Sequence, residues 1–154
     1  MQKTAIISGC KNYRYSLTRQ WDESKPSVLF IGLNPSTADA KIDDPTLRRC
    51  INFAKAWGYG KVMIGNLFAY RATDPKDMMK ASKPIGPRNN SNLLKLAREA
   101  DLIVAAWGNH GQLMNRSSQV ISMLDNLHIL ALNSSGEPKH PLYVKACTKP
   151  TQWR

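Results

Sequence analysis

Four stretches of the chain are almost purely apolar, and each ends in turn-forming residues. Ser27–Leu33 (SVLFIGL) stops at Asn34-Pro35 and Lys61–Ala69 (KVMIGNLFA) at Tyr70-Arg71, while Asp101–Trp107 (DLIVAAW) stops at Gly108 and Leu127–Leu132 (LHILAL) at Asn133–Gly136. Short continuous apolar runs bounded by turn signals read as strands buried on both faces. The segments between them carry helical spacing. Pro45–Trp57 repeats apolar residues at Leu47, Ile51, Phe53, Ala54 and Trp57, with Asp44 as a cap, Pro45 in the first turn and Gly58 as a stop. Arg88–Ala100 and Gln112–Leu124 are the other two predicted helices. Helical crossovers between buried runs predict an α/β fold, a three-layer sandwich around a central, mainly parallel four-stranded sheet. Tyr13–Trp21 (YRYSLTRQW) alternates instead and reads as an N-terminal edge hairpin. No repeat or linker interrupts the chain, so residues 1–154 are expected to form a single domain.

Composition narrows the class. The 154 residues are 42% hydrophobic and 21% charged, the profile of an ordinary globular domain. No apolar run reaches the roughly 18 residues of a membrane span, and the N-terminus lacks the apolar core of a secretory signal. Cys10, Cys50 and Cys147 are odd in number and scattered, which reads as reduced thiols in a cytoplasmic protein rather than a disulfide frame or zinc site. No metal or other cofactor is expected. The charge is more telling. Lys and Arg number 22 against 11 acids, a formal net charge of +11. The excess is spread along the chain, which favours a folded basic face and a polyanionic partner, nucleic acid ahead of membrane.

In an open α/β sheet, ligands bind beyond the carboxyl ends of the strands. The residues delivered there are Asn34, Pro35, Ser36 and Thr37 after the first run, and Asn66, Tyr70 and Arg71 near the end of the second. Gly108, Asn109 and His110 follow the third; Asn133–Gly136 and then His140-Pro141 follow the fourth. Each has a plain structural alternative, since turns favour Asn, Ser and Gly. Asn66 is the exception, an amide inside an apolar strand. It either satisfies a neighbouring loop or faces a ligand. Asp43 and Asp44 serve either as a cap and its neighbour or, with Arg48-Arg49, as a polar lid.

These motifs, in this order, resemble a bacterial and phage family known as domain-of-unknown-function family 1643. The resemblance runs through Asn34-Pro35-Ser36-Thr37-Ala38-Asp39, Asp43-Asp44-Pro45-Thr46, Arg48-Arg49-Cys50 and Trp57-Gly58-Tyr59. It continues through Asn66–Pro75, Pro84–Pro87, Ala105–Gly111 and Gly136–Tyr143, nearly the whole chain after Tyr13. A more distant resemblance is to the uracil-DNA glycosylase superfamily. There, a Gly-x-Asn-Pro turn holds the hydrolytic water, as Gly32-Leu33-Asn34-Pro35 would here. An Asn on the second strand reads the base edge, the place of Asn66. Ala106–His110 is similar to a Leu-Trp-Gly-x-His motif, and His140-Pro141 to a His-Pro loop whose His supports charge on the departing base. The chain lacks that loop's Ser and second Pro, and no aromatic closely follows Asn34-Pro35. Fold and site location are therefore expected to carry over ahead of uracil specificity.

The resemblance implies a nucleobase-acting N-glycosidic hydrolase on nucleic acid, DNA ahead of RNA, or on a nucleotide, with a role in DNA repair or in phage or mobile-element biology. Asn34, Asp44 and His140 are the expected catalytic residues; the carboxylate, Asp44 or else Asp39, enters on chemical grounds because Asn34 is a poor base, and the Asp43-Asp44 insertion is not a superfamily feature. Gly32, Pro35, Ser36, Asn66, Asn109 and His110 would line the site, Phe68 or Tyr70 would stack on a base, and Arg48, Arg49 and Arg71 would hold phosphates. Two alternatives stay open: a non-catalytic nucleic-acid binder with the same fold, and an enzyme acting on a small phosphorylated metabolite.

Overall fold

The computed structural model describes residues 1–154. Seven strands form one mixed sheet: β1 Gln2–Ile7, β2 Arg14–Gln20, β3 Ser27–Gly32, β4 Lys61–Asn66, β5 Leu102–Ala105, β6 Leu127–Ile129 and β7 Thr151–Gln152. Their order is β1-β2-β4-β3-β5-β6-β7. The four apolar runs lie side by side as β4, β3, β5 and β6 and pair in parallel. The expected four-stranded sheet is thus too small: β1 and β2 extend it antiparallel on one side, and β7 does so on the other. Tyr13–Trp21 is not a hairpin by itself. It supplies β2, the inner arm, which pairs with β1 and with β4.

Alternation along the central strands sorts the core into two layers. Val28, Phe30, Val62, Ile64 and Val104 face helix α1 (Pro45–Ala56), which returns Leu47, Cys50, Ile51, Phe53 and Ala54. Leu29, Ile31, Met63, Ile103 and Ala105 face helices α3 (Asn89–Glu99) and α4 (Arg116–Met123) through Leu93, Leu96 and Val120. A short helix α2 (Pro75–Met79) buries Met78 in the same layer. Helix α1 follows its sequence signals: Asp44 Oδ1 accepts from the Leu47 N–H at 2.8 Å, Pro45 opens the first turn, and Gly58 leaves the helix at φ 85°.

The helix expected over Gln112–Leu124 is broken. Asn109–Asn115 is a 3-10 segment in which Met114 and Asn115 take left-handed backbone angles, and α4 starts only at Arg116. Arg116 explains the break, because its fully buried guanidinium donates to the Leu67 carbonyl at 2.7 Å and to Asn90 Oδ1 at 2.7 Å. Asn89 Nδ2 binds the Asn66 and Leu67 carbonyls as well, at 2.9 and 3.0 Å. These side chains take the acceptors that would have continued β4, so the strand ends at Asn66 rather than at Ala69. No helix is long and apolar enough to cross a membrane.

Candidate functional site

A cavity of about 540 Å³ opens at the carboxyl ends of β3, β4 and β5, between the start of α1 and the 3-10 turn Pro141–Tyr143. Of the residues singled out from the sequence, Gly32, Asn34, Ser36, Asp44, Asn66, Asn109, His110 and His140 line it. Pro35 is buried beneath the first turn. Phe68 is 1% exposed in the core, so it is not free to stack on a ligand, and Tyr70 meets Tyr13 edge-on at 5.8 Å.

The three arginines expected to hold phosphate lie outside the lining. Arg48 is exposed and donates to the Asp43 carbonyl at 3.2 Å. Arg49 spans from α1 to the His140 loop, donating to the Pro141 carbonyl at 3.3 Å and to the Val144 carbonyl, with its guanidinium over the Phe53 ring. Arg71 donates to the Lys11 carbonyl at 3.3 Å. Asp43 forms no lid; its Oδ1 lies 2.9 Å from Nε of the fully buried Arg19. Arg19 also donates to the Asp39 carbonyl, and Asp39 closes its own turn on the Lys41 and Ile42 N–H groups. This network shapes the loop that delivers Asp44.

Within the lining, each polar group has a defined direction. Asn34 Nδ2 donates to the Ala72 carbonyl at 2.8 Å, which leaves Oδ1 as a free acceptor. Asp44 spends Oδ1 on the helix cap and keeps Oδ2; it is the one carboxylate of the cavity. His140 Nδ1 accepts from the Leu142 N–H at 3.2 Å, so in the neutral ring the hydrogen sits on Nε2. Burial holds this imidazole below its ordinary pKa, with Asp44 opposing, and so favours the neutral form. Asn109 Oδ1 accepts from Ser135 Oγ at 2.6 Å.

The sequence reading missed Arg14. It lies on β2, is 4% exposed and lines the cavity floor. Nη1 donates to the Ala38 carbonyl at 2.9 Å and Nη2 to Asn66 Oδ1 at 3.3 Å, while Nε has no partner. No carboxylate lies within ion-pair distance of it. Burial lowers its pKa to about 10, which leaves it charged at neutral pH. Only the alternation of Tyr13–Trp21 could have pointed to it, by giving Arg14 the same face as Ser16. Trp107 is also buried in the wall, donating through Nε1 to Glu137 at 2.6 Å, and Ser117 holds the other Glu137 oxygen at 3.0 Å. Cys50 lines the cavity with its thiol pushed up by burial, which makes it a poor nucleophile. No three His, Cys, Asp or Glu side chains gather as a metal site would require.

Comparison with curated proteins gives no match, and comparison with solved structures gives none. The family comparison does: residues 14–142, which run from Arg14 to the His140 loop, match the family described as "Protein of unknown function (DUF1643)". The chain belongs to that family.

Proposed function

We propose that the protein is a nucleobase-acting N-glycosidic hydrolase of glycosylase-like fold, working on nucleic acid, DNA ahead of RNA, or on a nucleotide. The observation that carries this reading is the convergence of Asn34, Asp44, Asn66 and His140 on one cavity large enough for a heterocyclic base. Asn34, Asn66 and His140 stand in the motifs that resemble the uracil-DNA glycosylase superfamily, and Asp44 joins them on its chemistry alone. Hydrolysis breaks the bond between the anomeric carbon and the base nitrogen, adds the hydroxyl of water to that carbon, and sends the bonding electrons out with the base. Asn34 Oδ1 orients the water, and Asp44 Oδ2 takes its proton and faces the developing sugar cation. The Nε2 hydrogen of neutral His140 stabilises the charge on the departing base. Asn66 binds the base edge. Exposed Leu142 and Tyr143, 45% and 79% accessible beside His140, offer an apolar lip to a polymer.

One observation favours a non-catalytic binder: the single carboxylate of the cavity is already half committed to capping α1. A screen for base release separates the two. Modified oligonucleotides and nucleotides are incubated with the full chain, and released bases are identified by mass spectrometry. Release by the wild type, lost in Asp44→Asn and Asn66→Ala, supports the hydrolase. Salt-dependent oligonucleotide binding without release supports the binder.

A further inference from the structure

Helix α3 packs on the sheet face opposite α1, and between it and the β1–β2 edge runs a groove of about 670 Å³. A slip in strand register makes its floor. Ile6 pairs with Ser16 but Ile7 with Arg14, which leaves Tyr15 as the extra residue of a bulge. Arg14 lines the cavity, whereas Tyr15 lines the groove. Asn92 Nδ2 donates to the Tyr15 carbonyl and ties α3 to the bulge. Arg88, Lys95 and Arg98 line the groove and are exposed. Lys95 stands about two turns after Arg88 and Arg98 about one turn further, so the three share a helix face and span about 15 Å of its axis. None lies within ion-pair distance of a carboxylate, although Glu99 lines the same groove. Arg98 commits only Nε, to the Leu94 carbonyl at 3.3 Å. The three charges thus serve neither an ion pair nor the cavity.

We propose that this groove is a second nucleic-acid contact, which holds the sugar-phosphate backbone of a single strand outside the cavity. It rests on the nucleic-acid reading above but not on hydrolysis. A span of about 15 Å covers about four phosphates at the roughly 3.4 Å rise of a stacked strand. The forked donors of Arg88 and Arg98 suit phosphate oxygens. No ring in the groove is free to stack on a base, because Tyr15 is 5% exposed and stacks against Tyr13 at 5.9 Å. The groove therefore binds backbone without reading sequence. An anionic membrane fits less well. It takes cations beside a protruding apolar face, and here the cations line a concavity whose apolar lining is Ile6 and Tyr15. Asn89 binds the carbonyls at the end of β4, so α3 starts at the cavity end of the sheet, and a strand in the groove leaves it there past Arg88.

Fluorescence anisotropy with the full-length chain tests this, using labelled oligothymidylate and oligoadenylate at several salt concentrations. The combined variant Arg88→Ala, Lys95→Ala, Arg98→Ala weakens binding of both by the same factor, at least roughly tenfold, and lowers the slope of log affinity against log salt by about two units, as three single-strand phosphate contacts require. Lys25, Lys41 and Lys55 are exposed and lie outside the groove. Changing those three to Ala removes the same charge and moves the slope by less than about one unit. Melting curves establish that each variant is folded. Should the groove variant fail to fold, Lys95→Glu carries the test, with a slope lower by about one unit. Equal losses in the two triple variants would assign binding to net charge, and unequal losses for the two homopolymers would mean that bases are read in the groove; either overturns the proposal. So does unchanged oligonucleotide affinity in the groove variant, or a loss of binding confined to phosphatidylserine vesicles, which would make the groove a membrane surface. Base release from free nucleotides without oligonucleotide binding defeats the groove alone, whereas oligonucleotide binding through the groove without base release defeats the hydrolase alone.

Discussion

His140 shows how a single side chain ties the site to solution conditions. Its Nδ1 must accept from the Leu142 N–H, and a protonated imidazole has no acceptor to give. Burial already disfavours the charged ring, so its folded pKa lies below the ordinary value of about 6.5. The unfolded chain therefore takes up this proton first on acidification. The stability due to neutral His140 is complete above the ordinary value and is lost as pH falls through the lowered one. Thermal melting of wild type and His140→Gln from neutral to acid pH checks this: the wild type should lose more stability than the variant over the acid limb. Parallel curves would mean that the ring titrates without sensing the fold.

Between residue and molecule, the element that matters is the 3-10 turn Pro141–Tyr143, pinned to α1 by Arg49. Arg49→Ala releases that turn, and with it His140 and the apolar lip. Oligonucleotide affinity should fall while the slope of log affinity against log salt stays unchanged, because the lost bonds go to carbonyls and not to phosphate. A slope smaller by about one unit would identify Arg49 as a phosphate contact instead. Elements also show where sequence reasoning reaches. Helix α1 and the four central strands were legible because each is announced locally, by a cap and a stop or by an unbroken apolar run. The break before α4 was not, since it depends on Arg116 reaching the end of β4, far away in sequence. The site divides likewise. Asn34, Asn66 and His140 stand at strand ends and in turns, where a pattern marks them. Arg14 opens β2, at the start of an alternating stretch, and becomes part of the site only through the pairing of β2 with β4. Arg49 looked like a phosphate ligand because sequence displays its charge and hides the carbonyls that occupy it.

At the scale of the molecule, the formal net charge of +11 favours long-range attraction to the polyanionic partner proposed above. Arg48, exposed on α1, is a surface candidate to contribute. Arg48→Ala should weaken binding to unrelated oligonucleotides uniformly and lower the salt slope by about one, with melting unchanged, as read by anisotropy titrations at several salt concentrations. An unchanged slope would assign Arg48 to the α1 surface alone. The sheet order carries one more consequence, and it concerns time. β2 leaves the ribosome before β3 and β4, yet its sheet neighbours are β1 and β4. The β1–β2 hairpin can form in microseconds but is marginal by itself, so it waits, with Arg14 in water, until β4 has been made and laid against β3. The cavity floor thus cannot exist before β4 has joined the sheet, and the pocket is complete only later, once the chain has been made through the His140 turn. A nascent chain gains a ligand-competent pocket only when its first-made strands have found a partner made much later, so ligand binding reports on completed folding rather than on the presence of the parallel core.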